Sequence, residues 1–217
     1  MRKFIGALGA VLLLGVLPAA AQAQDLGAIC ESLKNQPVGS WARYEITGGQ
    51  TNGNMRLALL SEGAGGAEGQ WFEMSGEING QNAIIQIQAD NWPFEPDEIR
   101  GVVMKAAGQP AMKLPESMLS QMRGQMNSSV NNLAESCGTG ELLGTETIEV
   151  PAGSFETYKV RPGGDQQGLP DVVWVSPDVP FGAVKSEGSE GTTVLLEYGN
   201  DASSSISESP QSIPGMP

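Results

Sequence analysis

The sequence contains no histidine. Without an imidazole, the chain cannot form a Ser-His-Asp or Cys-His nucleophile, and it lacks the most common ligand of catalytic zinc sites. It also contains no Ser-x-x-Lys pattern, P-loop, dinucleotide-binding fingerprint or EF-hand loop. The sequence therefore predicts a protein that is not an enzyme, with no catalytic residue, no cofactor and no metal site. Two alternatives stay open: a glycosidase that uses a pair of carboxylates from Glu73, Glu77, Asp97 and Glu98, and a calcium site at Asp90, Asp97 and Glu98.

Basic residues are scarce. The chain has 12 lysines and arginines against 25 aspartates and glutamates, which gives a formal net charge of −13 at pH 7. Nucleic acid and anionic bilayer surfaces repel a protein of this charge. We therefore exclude nucleic acid as a partner and interpret the acidic residues as a means of keeping the protein in solution.

Only the first segment of the chain is strongly apolar. Residues 1–24 combine the basic pair Arg2 and Lys3, an apolar stretch over residues 4–17, and the cleavage motif Ala21-Gln22-Ala23. The apolar stretch is shorter than the roughly 20 residues of a membrane-spanning helix. These features predict a cleavable signal peptide over residues 1–24, a periplasmic location and no permanent membrane anchor.

Cysteine occurs only twice, at Cys30 and Cys137. In an exported chain, two cysteines most economically form one disulfide, and the absence of a C-x-x-C motif argues against a redox role. The predicted bond Cys30–Cys137 closes a long loop, so its contribution to stability is on the order of 4–5 kcal/mol.

Alternating polar and apolar residues between glycine, proline and Asn-Gly turns predict an antiparallel sheet. Four strands are expected in the first half of the chain: Val38–Thr47, Asn54–Ser61, Gln70–Ile78 and Ala83–Ala89. The irregular residues 90–115 predict a lid-like loop with a short helix or strand near Ile99–Ala106.

Residues 143–187 form the centre of the predicted sheet. Pro151 and Gly153 supply a turn between two alternating strands. The run Val172–Val175 is apolar on both faces, which predicts a strand that is covered on both sides. Thr192–Tyr198 is then expected to be the closing strand.

Two helices are predicted to cover one side of this sheet. The first spans Asp25–Gln36 and ends before Pro37; the second spans Pro115–Ser136. One stripe of the second helix contains Met118, Met122, Met126, Val130 and Leu133. Residues 201–217 are rich in serine and proline and predict a disordered C-terminal tail. Residues 25–200 are expected to form a single domain.

The segment Glu149–Val160, together with Val173–Pro180 and Gly182–Lys185, resembles a signature of exported bacterial families of unknown function. The fold of these families is similar to that of the periplasmic lipoprotein carriers LolA and LolB. The resemblance implies a mainly β protein of the α+β class, built on a curved antiparallel sheet or half-open barrel with helices over its concave face. In the carriers, this face holds acyl chains.

We therefore expect an exported binding protein that holds an apolar or amphipathic ligand, such as a lipid or a lipoprotein acyl chain, or an envelope partner in the concave face. The alternative is a structural or interaction component of the envelope with a filled core. An empty apolar cavity of roughly 300 Å³ or more distinguishes the two. The candidate ligand-binding residues are Met118, Met122, Met126, Trp71, Phe72, Trp92 and Phe94.

The methionine stripe of the second helix has three interpretations. Methionine is an adaptable gap-filler, so the stripe can be a helix face packed on the core. The same adaptability suits a soft wall for an apolar ligand. Thioether sulfur also binds copper(I), although the helix offers no thiolate or imidazole to complete such a site.

Overall fold

The computed structural model describes residues 27–31, 33–48, 52–125, 137, 139–163 and 169–213. The predicted signal peptide lies outside them. The described helices are α1 (Glu116–Gln125), a helical turn at residues 27–31 and two 3-10 turns. The strands are β1 (Trp41–Thr47), β2 (Gly53–Glu62), β3 (Glu68–Ile78), β4 (Gln81–Ala89), β5 (Ile99–Ala106), β6 (Met112–Lys113), β7 (Glu141–Val150), β8 (Gly153–Arg161), β9 (Val172–Val175), β10 (Ala183–Gly188), β11 (Gly191–Gly199) and β12 (Gln211–Ser212).

All twelve strands belong to one sheet, in the order β12-β6-β5-β4-β3-β2-β1-β11-β10-β9-β8-β7. Two meanders, β1–β6 and β7–β11, are joined where β1 pairs with β11. Neighbouring strands are antiparallel except at the edge, where the short β12 runs parallel to β6. In the described part of the chain the two outermost strands, β7 and β12, do not pair with each other, so the sheet is open.

The sheet is strongly curved. The rings of Phe72 in β3 and Phe181, which precedes β10, have centroids 6.2 Å apart. In a flat sheet, β3 and β10 are four strand spacings apart, about 19 Å. Curvature therefore brings the two halves of the sheet together on the side that carries these rings, which we call the inner face. The predicted mainly β class, with a curved antiparallel sheet that remains half open, is confirmed.

The inner face carries the larger core. Directly opposed side chains of β2–β5 form one buried row: Leu59, Phe72, Ile87 and Val102. Leu119 of α1 packs into the same cluster. A slip of one residue in any of these strands would turn its apolar side chains to the other face, so the row fixes the register of the sheet.

The disulfide Cys30–Cys137 is present, with Cα atoms 5.7 Å apart, and the predicted pairing is confirmed. It packs with Leu33, Val173 and Val175 in a second buried cluster. Trp174 points to the opposite side of β9 and is also buried, so this strand is covered on both sides, as its sequence predicts.

Each predicted helix is described in part. Residues 27–31 are helical, but residues 33–36 are not, so the first helix does not reach Gln36 as predicted. The second is described as Glu116–Gln125, and residues 126–136 lie outside the described part. Residues 99–106 form the strand β5 and not a helix. Within the described residues, no helix is long and apolar enough to cross a membrane.

The prediction of a disordered C-terminal tail is wrong for residues 201–213. Residues 200–213, which we call the C-terminal strap, run across the outer face of the sheet and end in β12. Ile206 is 1% exposed and packs with Leu60 and Trp71. The composition was misleading because Ser204 and Ser205 form hydrogen bonds with the buried side chains of Gln86 and Glu73, which a count of apolar residues does not detect.

Candidate functional site

The structure divides the predicted ligand-binding residues between two faces. Trp71 and Phe72 are neighbours in β3, and successive side chains of a strand point to opposite faces. Phe72, Trp92 and Phe94 lie on the inner face, whereas Trp71 lies on the outer face beneath the C-terminal strap. A binding surface on the inner face therefore cannot include Trp71.

Among the methionines of the predicted helical stripe, the structure describes the side chain of Met118. Met118 is 40% exposed, and the side chain that α1 buries is Leu119. For Met118, the interpretation as a residue packed on the core is therefore wrong. The side chain of Met122 and the whole of Met126 lie outside the described residues.

Four aromatic side chains form what we call the aromatic cluster: Phe72, Trp92, Phe94 and Phe181. Phe72 and Trp92 are stacked, with centroids 4.6 Å apart and ring planes at 19°. Trp92 meets Phe181 edge-on at 5.5 Å. Aromatic pairs of this geometry each stabilise a core by about 0.5–1.5 kcal/mol beyond the area they bury. At this end, the inner face is filled by the protein's own rings.

The other end of the inner face carries methionines. Met74, Ile85, Met104 and Met112 are opposed across β3, β4, β5 and β6 and form one continuous row. Met55 in β2 is diagonal to Met74, because its neighbour Leu57 is the residue directly opposite Met74. Such diagonal neighbours are within reach of long side chains. We call Met55, Met74, Met104 and Met112 the methionine patch.

The methionine patch is open to solvent. Met74 is 36% exposed and Met104 is 44% exposed, while Met55 and Met112 are half-buried. In the next row of the same strands, toward the aromatic cluster, every side chain is buried. The inner face therefore changes, over one row of residues, from a filled core to an exposed apolar surface.

The hydroxyl of Tyr44 adds a polar group to this face. Tyr44 is directly opposite Met55 and is almost fully buried. Its hydroxyl has no hydrogen-bond partner among the described residues. Burial raises the pKa of the Tyr44 phenol above its ordinary value, because the phenolate would be desolvated. The group is therefore neutral and retains a proton that it can donate.

The cavities differ in chemistry as well as in size. An apolar cavity beside the disulfide, lined by Leu33, Cys137 and Val173 among others, has a volume of about 10 Å³, too small for an organic ligand. An open groove of about 480 Å³ runs along β7 and β8. Its walls mix polar and apolar surface and include the acidic side chains of Glu146, Glu156 and Asp178. That groove does not match the apolar cavity expected of a lipid carrier.

Three residues of the sequence signature come together next to this groove. The ammonium groups of Lys159 and Lys185 lie 4.8 Å and 5.0 Å from the centroid of the Trp174 ring. The indole N–H of Trp174 donates a hydrogen bond of 2.6 Å to Glu146. This bond, followed by that from Lys159, lowers the pKa of Glu146. The signature thus forms a cation–π cluster that ties β7 to β10.

The outer face holds a buried carboxylate. Glu73 is fully buried and forms an ion pair with Arg56 at 3.1 Å. It also accepts hydrogen bonds from the Gln86 amide at 2.7 Å, the Ser205 backbone N–H at 2.9 Å and the Ser205 hydroxyl at 2.6 Å. Gln86 in turn donates to the hydroxyl of Ser204 at 2.7 Å. We call these five residues the outer polar network.

The sequence analysis missed both the methionine patch and the outer polar network. Glu73 and Gln86 are ordinary polar residues of alternating strands, and their partners lie more than 100 positions away in the strap. The methionines of the patch are dispersed over four strands and become neighbours only through the pairing register. Among the described residues, no group of three or more histidine, cysteine, aspartate or glutamate side chains is placed to hold a metal ion.

Comparisons with known proteins identify no family. No family model matches the chain, and no curated protein matches it. Similar solved structures include the crystal structure of MucB, with a TM-score of 0.38 and 12% identity over 86% of this chain and 61% of that chain. This chain thus spans about three fifths of the MucB chain. A "putative lipoprotein" from Parabacteroides distasonis ATCC 8503 has a TM-score of 0.31 and 15% identity over 77% of this chain and 98% of its own.

Proposed function

We propose that this chain is an exported, non-enzymatic binding protein that holds an apolar or amphipathic ligand, such as a lipid or an acyl chain, against the methionine patch. The observation that supports this most directly is the exposure of Met74 and Met104 on the inner face of the sheet. Exposed, contiguous apolar surface on a soluble protein commonly marks an interaction site.

The chemistry of the patch suits a flexible hydrocarbon. Methionine has an unbranched side chain with several rotatable bonds, so a methionine surface adapts to ligands of different shape. Covering apolar surface contributes roughly 25 cal/mol per Å² removed from water. The resemblance of residues 149–185 to exported families with a carrier-like fold points in the same direction.

The proposal is tested by native mass spectrometry of the mature protein purified gently from periplasm, before and after solvent extraction. We expect an additional mass that extraction removes and that is a fatty acid or phospholipid. Replacing Met104 by aspartate places a charge in the patch and should abolish the additional mass, because burying an unpaired charge beside a hydrocarbon chain is costly.

Leu143→Asp is the matched control. Leu143 is exposed to a similar extent, 37% against 44% for Met104, but lies on β7 at the opposite edge of the sheet. The same charge there should leave lipid retention unchanged. A bare polypeptide that also fails to take up added fatty acid would contradict the proposal, as would equal loss of lipid in both variants.

A second candidate function is an interaction or structural component of the cell envelope that binds no small ligand. It is favoured by the aromatic cluster, in which Phe72, Phe94 and Phe181 are buried against one another and leave that end of the inner face filled. In this case the methionine patch would contact an envelope protein. Chemical cross-linking from position 104 in intact cells would then capture a protein while extraction released no lipid.

A further inference from the structure

We propose that the methionine patch is a copper(I) site in which Met74, Met104 and Met112 supply thioether ligands, with Met55 as an additional ligand. The site occupies the surface proposed for the apolar ligand, but it does not require that ligand to exist.

The pairing register brings the sulfur ligands together. Met104 and Met112 are directly opposed on neighbouring antiparallel strands, where Cβ atoms are about 4.5–5.5 Å apart. Met74 lies two strands from Met104, about 10 Å across the intervening strand β4. The long, flexible side chains of Met74 and Met104 can close this distance above Ile85, which lies between them in the row.

The composition of this row is unlike that of the core beside it. The neighbouring buried row consists of Leu59, Phe72, Ile87 and Val102, which are all hydrocarbon side chains. Where the face opens, the same strands change to methionine at three of the four positions from β3 to β6. The change adds three thioether sulfur atoms, which are soft metal ligands, at the accessible end of the inner face.

The chemistry of the chain selects copper(I) among the available metals. Soft thioether ligands favour copper(I) over zinc, calcium and magnesium, which prefer nitrogen, thiolate or oxygen ligands. The sequence has no histidine, and both of its cysteines are held in the disulfide. Methionine is therefore its one soft metal ligand. The formal net charge of −13 additionally favours the approach of a cation.

Thioethers also determine how the site depends on pH. Cysteine and histidine must lose a proton to bind a metal, so their affinities fall as the pH decreases. A thioether carries no such proton. Copper(I) affinity of the methionine patch should therefore be the same at pH 5 and pH 7, within about twofold, in contrast to a thiolate or imidazole site.

The test is a competition titration in which the purified, disulfide-bonded protein and the chelator bicinchoninate compete for copper(I). The titration is anaerobic, and the reductant keeps copper as copper(I) without reducing the disulfide. We expect one copper(I) per chain, with an X-ray absorption spectrum that shows sulfur as the main scatterer in the first shell. Met104→Leu and Met74→Leu should each weaken binding by at least about tenfold, because each removes one soft ligand and preserves the apolar volume.

Met118→Leu is the matched control, since it removes an exposed methionine outside the patch and should leave the copper affinity unchanged. Circular dichroism and thermal unfolding verify that all three variants fold. Failure of the wild type to compete for copper(I), wild-type affinity in Met104→Leu, or an equal loss in Met118→Leu would each overturn the proposal.

Binding of fatty acid, measured on the same variants, should be retained because leucine is apolar. A wild type that binds copper(I) but takes up no fatty acid would contradict the proposed function alone, whereas a wild type that takes up fatty acid but does not compete for copper(I) would overturn the copper proposal alone.

Discussion

The two faces of strands β2–β5 are covered in different ways. The outer face is closed by the chain itself, since the C-terminal strap buries Ile206 and joins its serines to Glu73 and Gln86. The inner face is filled at one end by the aromatic cluster and exposes Met74 and Met104 at the other. The same strands therefore have an outer face that the strap covers and an inner face that keeps accessible apolar surface.

This difference shows which face is available to a ligand. A buried carboxylate such as Glu73 is tolerated only when its lone pairs are all occupied, so the outer face is committed to the strap. The exposed methionines need no such partners, and they remain accessible without a desolvation penalty. Binding is therefore expected on the inner face, and the outer face is expected to contribute stability.

The largest expected effect is the loss of Glu73. In Glu73→Ala, Arg56 loses its carboxylate partner, and the Gln86 amide and the Ser205 N–H lose their acceptor beneath the strap. Removing one partner of a buried ion pair costs about 3–5 kcal/mol. Urea unfolding should show this loss in the free energy of unfolding.

Glu77→Ala is the control for that substitution. Glu77 is an exposed carboxylate on the same strand, so its replacement should change the free energy of unfolding by less than about 0.5 kcal/mol. If Glu73→Ala were as stable as this control, the outer polar network would not hold the strap, and the contrast between the two faces would disappear.

A matched pair of truncations compares the faces directly. Ile206→Ala removes a side chain that is 1% exposed and leaves a cavity under the strap. We expect a loss of about 2–3 kcal/mol in the free energy of unfolding. Met104→Ala removes a side chain that is 44% exposed, so it should cost less than about 1 kcal/mol. Thermal and urea unfolding of the ligand-free protein measure both.

The order of these two values decides whether the inner face is open. An equal or larger loss in Met104→Ala would mean that another part of the protein covers the methionine patch. The patch would then be core, and both proposals for it would lose their basis. A small loss that grows when fatty acid or copper(I) is added would instead indicate that the ligand and Met104 stabilise each other.

Much of the fold could be predicted from the sequence because it depends on local patterns. The alternation in Ala83–Ala89 and the doubly apolar run Val172–Val175 give strands β4 and β9 with nearly the expected bounds. The disulfide also followed from simple pairing of the only two cysteines of the sequence. Features that depend on the pattern of one strand, or on the pairing of two cysteines, can therefore be predicted from the sequence.

The features that depend on distant partners could not be predicted. The strap is ordered because Ser205 meets Glu73 across 132 positions, a contact without any local pattern. The methionine patch likewise requires the register that opposes Met104 to Met112. The sequence pattern was stronger for Met118, Met122 and Met126, which have helical spacing, yet α1 buries Leu119 and exposes Met118.

The smallest expected effect concerns the last ion pair of the strap. Lys105 in β5 contacts Glu208 at 2.6 Å, and its hydrogen bond is the main cause that lowers the pKa of the Glu208 carboxyl below its ordinary value of 4.5. A carboxyl whose pKa is lower in the folded state stabilises the protein above its unfolded pKa, and this contribution is lost as the pH falls through the folded pKa. At pH 7, Glu208→Gln should therefore melt slightly below the wild type, and the difference should vanish in acid, below the lowered pKa.

Glu190, an exposed carboxylate in the β10–β11 turn, provides the control, and Glu190→Gln should melt like the wild type at both pH values. A Tm difference for Glu208→Gln that persisted unchanged in acid would show that the strap is held at this point by packing and not by the ion pair, which would leave Glu73 as the principal electrostatic attachment of the outer face.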